Sequence, residues 1–208
     1  HFLWFIGVVL DINKRGKHMK INELEYSIGN KKIGTDTIII NMGSALDCSS
    51  LKRGLCQYAE ACYAMKAERQ YPPVKPFRDR QEHYWLNNTA EQISTDINKA
   101  LQKHKKIKWI RFNESGDFHS GECLQKLIQV SNLVDIRIYT YTARRDLITN
   151  ETYKTLPANL AINTSNFERK GLNAFGQYED TRAQCRMDCS VCNICKTTKD
   201  ILINVPVH

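Results

Sequence analysis

The sequence has no apolar run long enough to cross a bilayer. Its nearest approach is the opening His1-Phe-Leu-Trp-Phe-Ile-Gly-Val-Val-Leu10, half of the roughly 20 residues a spanning helix needs. No basic stretch precedes it, as a secretory signal would require, so no membrane role is expected. A Gly-rich phosphate-binding turn and a His-Glu-x-x-His motif are both missing, and His83, His104 and His119 are too far apart for a local motif. Hydrolysis is therefore not the leading expectation. The chain also lacks internal repeats, low-complexity tracts and stretches of disorder-like composition, which argues against a solenoid or an unstructured binding segment.

What is present suits one main core. The 208 residues are 42% hydrophobic and 25% charged, ordinary values for a domain that folds without a partner. A formal charge of +8 permits an anionic partner such as nucleic acid, a phosphorylated metabolite or an acidic host protein. It does not choose among them, and thiolates bound to metal would reduce it. Met19 opens a natural-looking start, so residues 1–18 are read as a non-core or upstream-derived leader. Residues 19–184 are read as the core, and 185–208 as a cysteine-rich terminal element with a final strand.

Short branched runs mark strands. Thr37-Ile-Ile-Ile-Asn-Met-Gly43 reads as a buried strand opening into a loop, and Ile107-Lys-Trp-Ile-Arg-Phe112 as the next. Ile136-Arg-Ile-Tyr-Thr-Tyr-Thr142, Leu160-Ala-Ile-Asn-Thr164 and Ile201-Leu-Ile-Asn-Val205 continue the series. Between them, 77–86 is expected to be helical after the proline-rich Tyr71-Pro-Pro-Val-Lys-Pro76. Thr89-Ala-Glu-Gln92 offers a capping box for a helix carrying Ile93, Ile97 and Leu101. Ser120 is expected to cap a helix burying Cys123, Leu124, Leu127 and Ile128, and 143–147 is read as helical. Strands alternating with helices predict an α/β fold, a partial barrel or an open, mostly parallel sheet. Polar residues recur at the strand ends: Asn41, Asn113 with Glu114, Thr140 with Thr142, and Asn163 with Thr164. In α/β folds ligands bind at that rim.

Eight cysteines fall into three groups. Clustering and the lack of an export signal favour a reducing, cytoplasmic setting and metal coordination over disulfides. Cys48, Cys56 and Cys62 place three thiols within fifteen residues, with no histidine in the loop. Soft sulfur suits iron, zinc or copper, and three ligands would leave one iron of a [4Fe-4S] cluster open. Cys185, Cys189, Cys192 and Cys195 form a denser group that can fully ligate a cluster or a tetrahedral zinc. Overlapping two-residue gaps favour iron-sulfur there. His208 offers a further ligand or a second donor, and the isolated Cys123 reads as a small hydrophobe.

A three-cysteine loop after the first strand, followed by strands with polar ends, resembles the radical S-adenosylmethionine superfamily. The resemblance implies an open [4Fe-4S] cluster on Cys48, Cys56 and Cys62, with S-adenosylmethionine bound at its open iron. It departs in spacing: seven and five residues separate these cysteines, whereas the superfamily's three-and-two spacing occurs at Cys185, Cys189 and Cys192. Topology assigns catalysis to the first group and an auxiliary role to the second. Asn41-Met-Gly-Ser-Ala-Leu-Asp-Cys48, Gly54-Leu-Cys56 and Cys62-Tyr-Ala-Met-Lys-Ala-Glu-Arg-Gln-Tyr-Pro72 also resemble the phage gene product 88-like family. That resemblance implies a phage-infected or prophage-carrying cell and supplies no secure activity.

Within the enzyme reading Glu114 and Asp117 are the candidate catalytic carboxylates. Asn41, Asn113, Glu114, Gly116, Asp117, Thr140 and Asn163 are the candidate cofactor-binding set, in a site that also accepts a small-molecule substrate. Lys66, Arg69, Arg78 and Arg80, interspersed with Tyr63, Tyr71 and Phe77, could meet phosphates and bases. A solvated helix face with inward tyrosines explains the same residues. The alternative to an enzyme is an iron-sulfur or zinc protein that binds nucleic acid or a host protein.

Overall fold

Branched and aromatic runs become the central strands because a pleated, doubly covered surface suits them. In the computed structural model, which describes residues 23–30, 32–178, 183–197 and 199–205, β1 is Ser27–Ile28 and β2 Thr37–Ile40. They are followed by β3 Trp109–Phe112, β4 Arg137–Thr142 and β5 Leu160–Ser165. Three further short strands are β6 Asn173–Gly176, β7 Ala183–Gln184 and β8 Leu202–Asn204. They form one sheet in the order β1-β2-β3-β4-β5-β6-β8-β7. β1 is antiparallel to β2, and the other pairs are parallel. The class is α/β, with an open sheet that does not close into a barrel. The expected leader 1–18 and His208 lie outside the described residues.

From β2 to β6 the strands follow chain order without a reversal. The intervening helices are α1 Ser49–Lys52, α2 Tyr63–Gln70, α3 Val74–Asn87, α4 Ala90–Lys103 and α5 Gly121–Leu133, and the last is α6 Ile194–Thr197. Side chains of α3, α4 and α5 share one core with β2, β3 and β4. The main core joins Trp85, Ile93, Ile97, Leu124 and Leu127 from the helices to Ile38, Ile110, Phe112 and Ile138 from the sheet. Among the described residues, no helix is long and apolar enough to cross a membrane.

Local signals explain the helix ends. Thr89 Oγ1 accepts from the Gln92 amide at 3.3 Å, and Gln92 Oε1 accepts from the Thr89 amide at 2.8 Å, which is the expected capping box. Ser120 occupies the cap position of α5, but its side chain makes no capping hydrogen bond. The prolines start α3 rather than interrupt it. Pro76 falls in the first turn, where amides have no intrahelical acceptor and a missing N–H costs nothing. The expected helix at 143–147 is instead a turn. There Arg144 Nε donates to Asp146 Oδ1 at 2.8 Å, and Arg144 Nη1 donates to the Phe118 and His119 carbonyls.

The opposite sheet face has a different lining. Trp109, Tyr139, Ala161 and Tyr141 form a second, smaller cluster, and α6 packs over β4 and β5. The terminal element is thus part of the main body: β8 lies between β6 and β7, and the cysteine-rich segment before it covers the inner face.

Candidate functional site

Three loops meet at the carboxyl ends of β2, β3 and β4. Asn41 Oδ1 accepts from the Ser115 amide at 2.8 Å, and its Nδ2 donates to Gln81 Oε1 at 2.8 Å. Asn113, at φ 58°, accepts from the Met42 amide at 3.1 Å. Gly116, at φ +72°, passes so close to Gly43 that a Cβ would lie 2.8 Å from the Gly43 carbonyl oxygen. These residues lock the β2 and β3 loops together.

Asp117 joins a third element. Its Oδ1 accepts from Thr142 Oγ1 at 2.7 Å and from the Phe118 amide at 2.8 Å. Its Oδ2 accepts from the Ala143 amide at 2.9 Å and from Ser50 Oγ. Burial pushes the carboxyl up against the pull of these four donors. With four bonds made, Asp117 ties α1 to β3 and β4 and has little accepting capacity left. Glu114 is different: its carbonyl takes the Tyr63 hydroxyl at 2.7 Å, while its carboxylate makes no hydrogen bond among the described residues.

Two other members of the expected binding set lie elsewhere. Thr140 is in register with Phe112 and Ile162, so it faces the helical layer, away from the second cysteine group. Asn163 lies on the inner face and is fully engaged. Its Nδ2 donates to the Thr140 and Cys195 carbonyls at 3.1 and 3.0 Å, and its Oδ1 accepts from Asn173 Nδ2 at 3.0 Å. It clamps the terminal segment onto the sheet.

The first cysteine group occupies the rim. Cys48 precedes α1 and Cys62 precedes α2, with Cys56 in the loop between. Burial pushes the Cys48 thiol up to about 11, and the charges of Asp117 and Cys56 add to the effect. Burial also raises Cys56, reinforced by Cys62 and Asp117 and opposed by the Tyr58 amide. The second group lines one cavity with Tyr139, Tyr141, Lys196 and Ile203. Burial pushes Cys195 up to about 12, against the Tyr141 hydroxyl and with help from Cys185, Cys189 and Cys192. Burial raises Cys189 too, while the Arg111 guanidinium opposes it. Among the described residues, no set of three or more His, Cys, Asp or Glu side chains is arranged to hold a metal ion. Cys123 is buried on α5, as its helical stripe predicts.

Between the groups lies a pair of side chains, Arg111 and Tyr63, that sequence reading missed. Arg111 shares the inner face with Tyr139, its register partner on β4. Its Nη2 donates to the Tyr63 hydroxyl at 3.2 Å, and its guanidinium carbon sits 5.2 Å from the centre of the Tyr141 ring. Tyr63 is 55% exposed, and desolvation raises its phenol against the pull of Arg111. The available signal was a lone cation two residues after Trp109 in a strand covered on both faces. Lys196, also unremarked, lies 5.0 Å from the Trp109 ring centre and donates to the Cys189 carbonyl at 2.9 Å.

Residues 13–201 match the family described as Gene product 88. The chain belongs to the gene product 88 family. No curated protein and no solved structure matches it.

In this gene product 88 chain the basic run after the first cysteine loop is divided by its surroundings. Arg78 is buried against Glu68 at 2.8 Å, and Arg80 pairs with Glu25 at 2.6 Å. Lys66 and Arg69 are exposed. Tyr63 and Tyr71 are also exposed, at 55% and 53%, which corrects the expectation of inward tyrosines. Glu68 was overlooked as well. It accepts from the Ala45 amide and Ser44 Oγ, each at 2.7 Å, and from the Leu46 amide at 3.1 Å, fixing the segment that leads into Cys48.

Proposed function

We propose that this gene product 88 protein is an iron-sulfur protein that acts as a radical S-adenosylmethionine-like enzyme in a phage-infected or prophage-carrying cell. One observation carries the reading. A three-cysteine loop follows the first of a series of parallel strands laid down in chain order, and it stands at their carboxyl rim beside Tyr63, whose hydroxyl joins Arg111 to the Glu114 carbonyl.

The donor types suit the chemistry, although among the described residues the thiols are not drawn together around a metal position. Cys48, Cys56 and Cys62 would hold an open [4Fe-4S] cluster, and Cys185, Cys189, Cys192 and Cys195 an auxiliary one, because clustered soft thiols favour iron and zinc over hard cations. An open cluster, when bound, supplies an electron for reductive cleavage of S-adenosylmethionine. The chain's own residues do the positioning. Glu68 and Asp117 fix the loops that carry the first cysteines. Glu114 offers a carboxylate to a ligand amino or hydroxyl group. The terminal segment, held by Asn163, excludes water from the inner face.

The test is purification without oxygen, with iron, zinc and acid-labile sulfide measured per chain. About eight irons and eight sulfides, as two [4Fe-4S] clusters require, together with reductive cleavage of S-adenosylmethionine, is the expected result. Zinc without sulfide in a sample protected from oxidation would overturn the proposal and favour a non-enzymatic zinc protein.

A further inference from the structure

We infer that Arg111 and Tyr63, which lie between the two cysteine groups, form a recognition site for an oxyanion, the carboxylate or phosphoryl group of a small ligand. The argument starts from charge. Arg111 lies in a strand between Ile39 and Tyr139, its register partners on either side, and its Nε is sealed from water without a hydrogen-bond partner. A guanidinium half withdrawn from water in this way favours an anion at its side.

Other enclosed arginines in this fold have that anion. Arg78 pairs with Glu68 and Arg144 with Asp146, each at 2.8 Å. Arg111 forms no ion pair among the described residues. Its one hydrogen bond goes to the neutral Tyr63 hydroxyl, which leaves most of its five N–H donors free.

Geometry turns this deficit into a site. The Tyr141 ring and the Tyr63 hydroxyl hold the guanidinium in place, and a planar fork fixed in that way can present parallel donors to two oxygens. Tyr63 is more than half exposed, so a small ligand can reach the pair from solvent. The nearby Glu114 charge disfavours multiply charged anions such as polyphosphates, so a small, weakly charged group fits better. Metal-bound Cys189 would add negative charge near Arg111, so binding is compared between preparations of equal metal content.

The experiment measures binding of acetate and of methyl phosphate, at constant ionic strength, to the full-length protein as purified, through intrinsic fluorescence and melting temperature. Variants are Arg111→Gln, Arg111→Lys and Tyr63→Phe, with the exposed Arg69→Gln as control. Their folding is checked by circular dichroism. Saturable binding of either probe that weakens roughly tenfold or more in Arg111→Gln, weakens less in Arg111→Lys and Tyr63→Phe, and is unchanged in Arg69→Gln supports the site. The responsive probe distinguishes carboxylate from phosphoryl recognition. If Arg111→Gln misfolds, the lysine and phenylalanine variants decide. The inference is overturned if neither probe saturates, or if the folded Arg111 and Tyr63 variants bind like the native protein. Metal content is measured separately and matched across the variants.

Discussion

Glu68 Oε1 stands 2.8 Å from Arg78 Nη1, and both side chains are shut off from water. The same carboxylate takes two amides and a hydroxyl from the segment leading to Cys48, so one buried pair orders the whole entrance to the cysteine loop. Arg78 also donates to the Ala64 carbonyl at 3.0 Å.

Glu68→Ala is therefore expected to cost about 3–5 kcal/mol, since it strands a buried guanidinium and several donors. Urea denaturation measures this loss. The pair also makes stability depend on pH. Burial alone would raise the Glu68 carboxyl, but the Ala45 amide, Arg78 and the Ser44 hydroxyl outweigh it and hold it below its ordinary 4.5. The folded state thus binds the proton less readily than the unfolded state. The contribution is complete above the unfolded value and is lost as pH falls through the folded one. In Glu68→Gln the acid limb of the stability profile should flatten; an unchanged limb would assign acid sensitivity to other groups.

Gly116→Ala tests the crossing of the β2 and β3 loops. A left-handed backbone costs a non-glycine residue about 1–3 kcal/mol, and the new Cβ would also press on the Gly43 carbonyl oxygen at 2.8 Å. Backbone cannot swing aside as a side chain can. The melting temperature should fall further than in Gly121→Ala, where nothing lies within 4 Å of the added atom.

Local features were legible in the sequence. The Thr89 and Gln92 capping box and the Cys123, Leu124, Leu127 and Ile128 stripe depend on neighbours three or four residues away, and both were read correctly. So was the recurrence of branched strands. β6 was missed because Asn173-Ala-Phe-Gly176 has no branched residue, and it pairs only because β5 and β8 flank it. The 143–147 segment was misread because Arg144 is drawn inward by Asp146 and the carbonyls after Asp117, contacts that no helical period encodes. The rim was legible in its strand-end polarity, since Asn41 and Asn113 do join the loops after β2 and β3. Its division of labour was not: Asp117 is saturated by donors from three elements, and Thr140 faces the helical layer. Such roles depend on register, which a strand pattern alone leaves open.

Asn163→Ala should loosen the terminal segment. The amide side chain joins β5, β4 and the Cys195 carbonyl, and its removal leaves buried carbonyls without donors, at about 1–3 kcal/mol each. Hydrogen exchange across 185–197 should rise well before exchange in β3 and β4 does. Equal protection in variant and native protein would mean that Lys196, stacked against Trp109, holds the segment unaided.

Paired serine substitutions separate the two cysteine groups. The first stands on the rim loop and the second on the inner face, and they are fixed by different elements: Glu68 and Asp117 hold the loops around one, Asn163 and Lys196 the other. Metal binding at each is thus expected to be independent. Cys56→Ser with Cys62→Ser should remove about half of the iron and sulfide and abolish reductive cleavage of S-adenosylmethionine. Cys185→Ser with Cys192→Ser should also remove about half, but leave that cleavage in place, because serine is a poor ligand for a soft metal. If the late pair alone eliminates cleavage while the early pair spares it, the catalytic cluster belongs to the terminal segment. The three-and-two spacing at Cys185, Cys189 and Cys192 would then outrank strand order as the guide to chemistry.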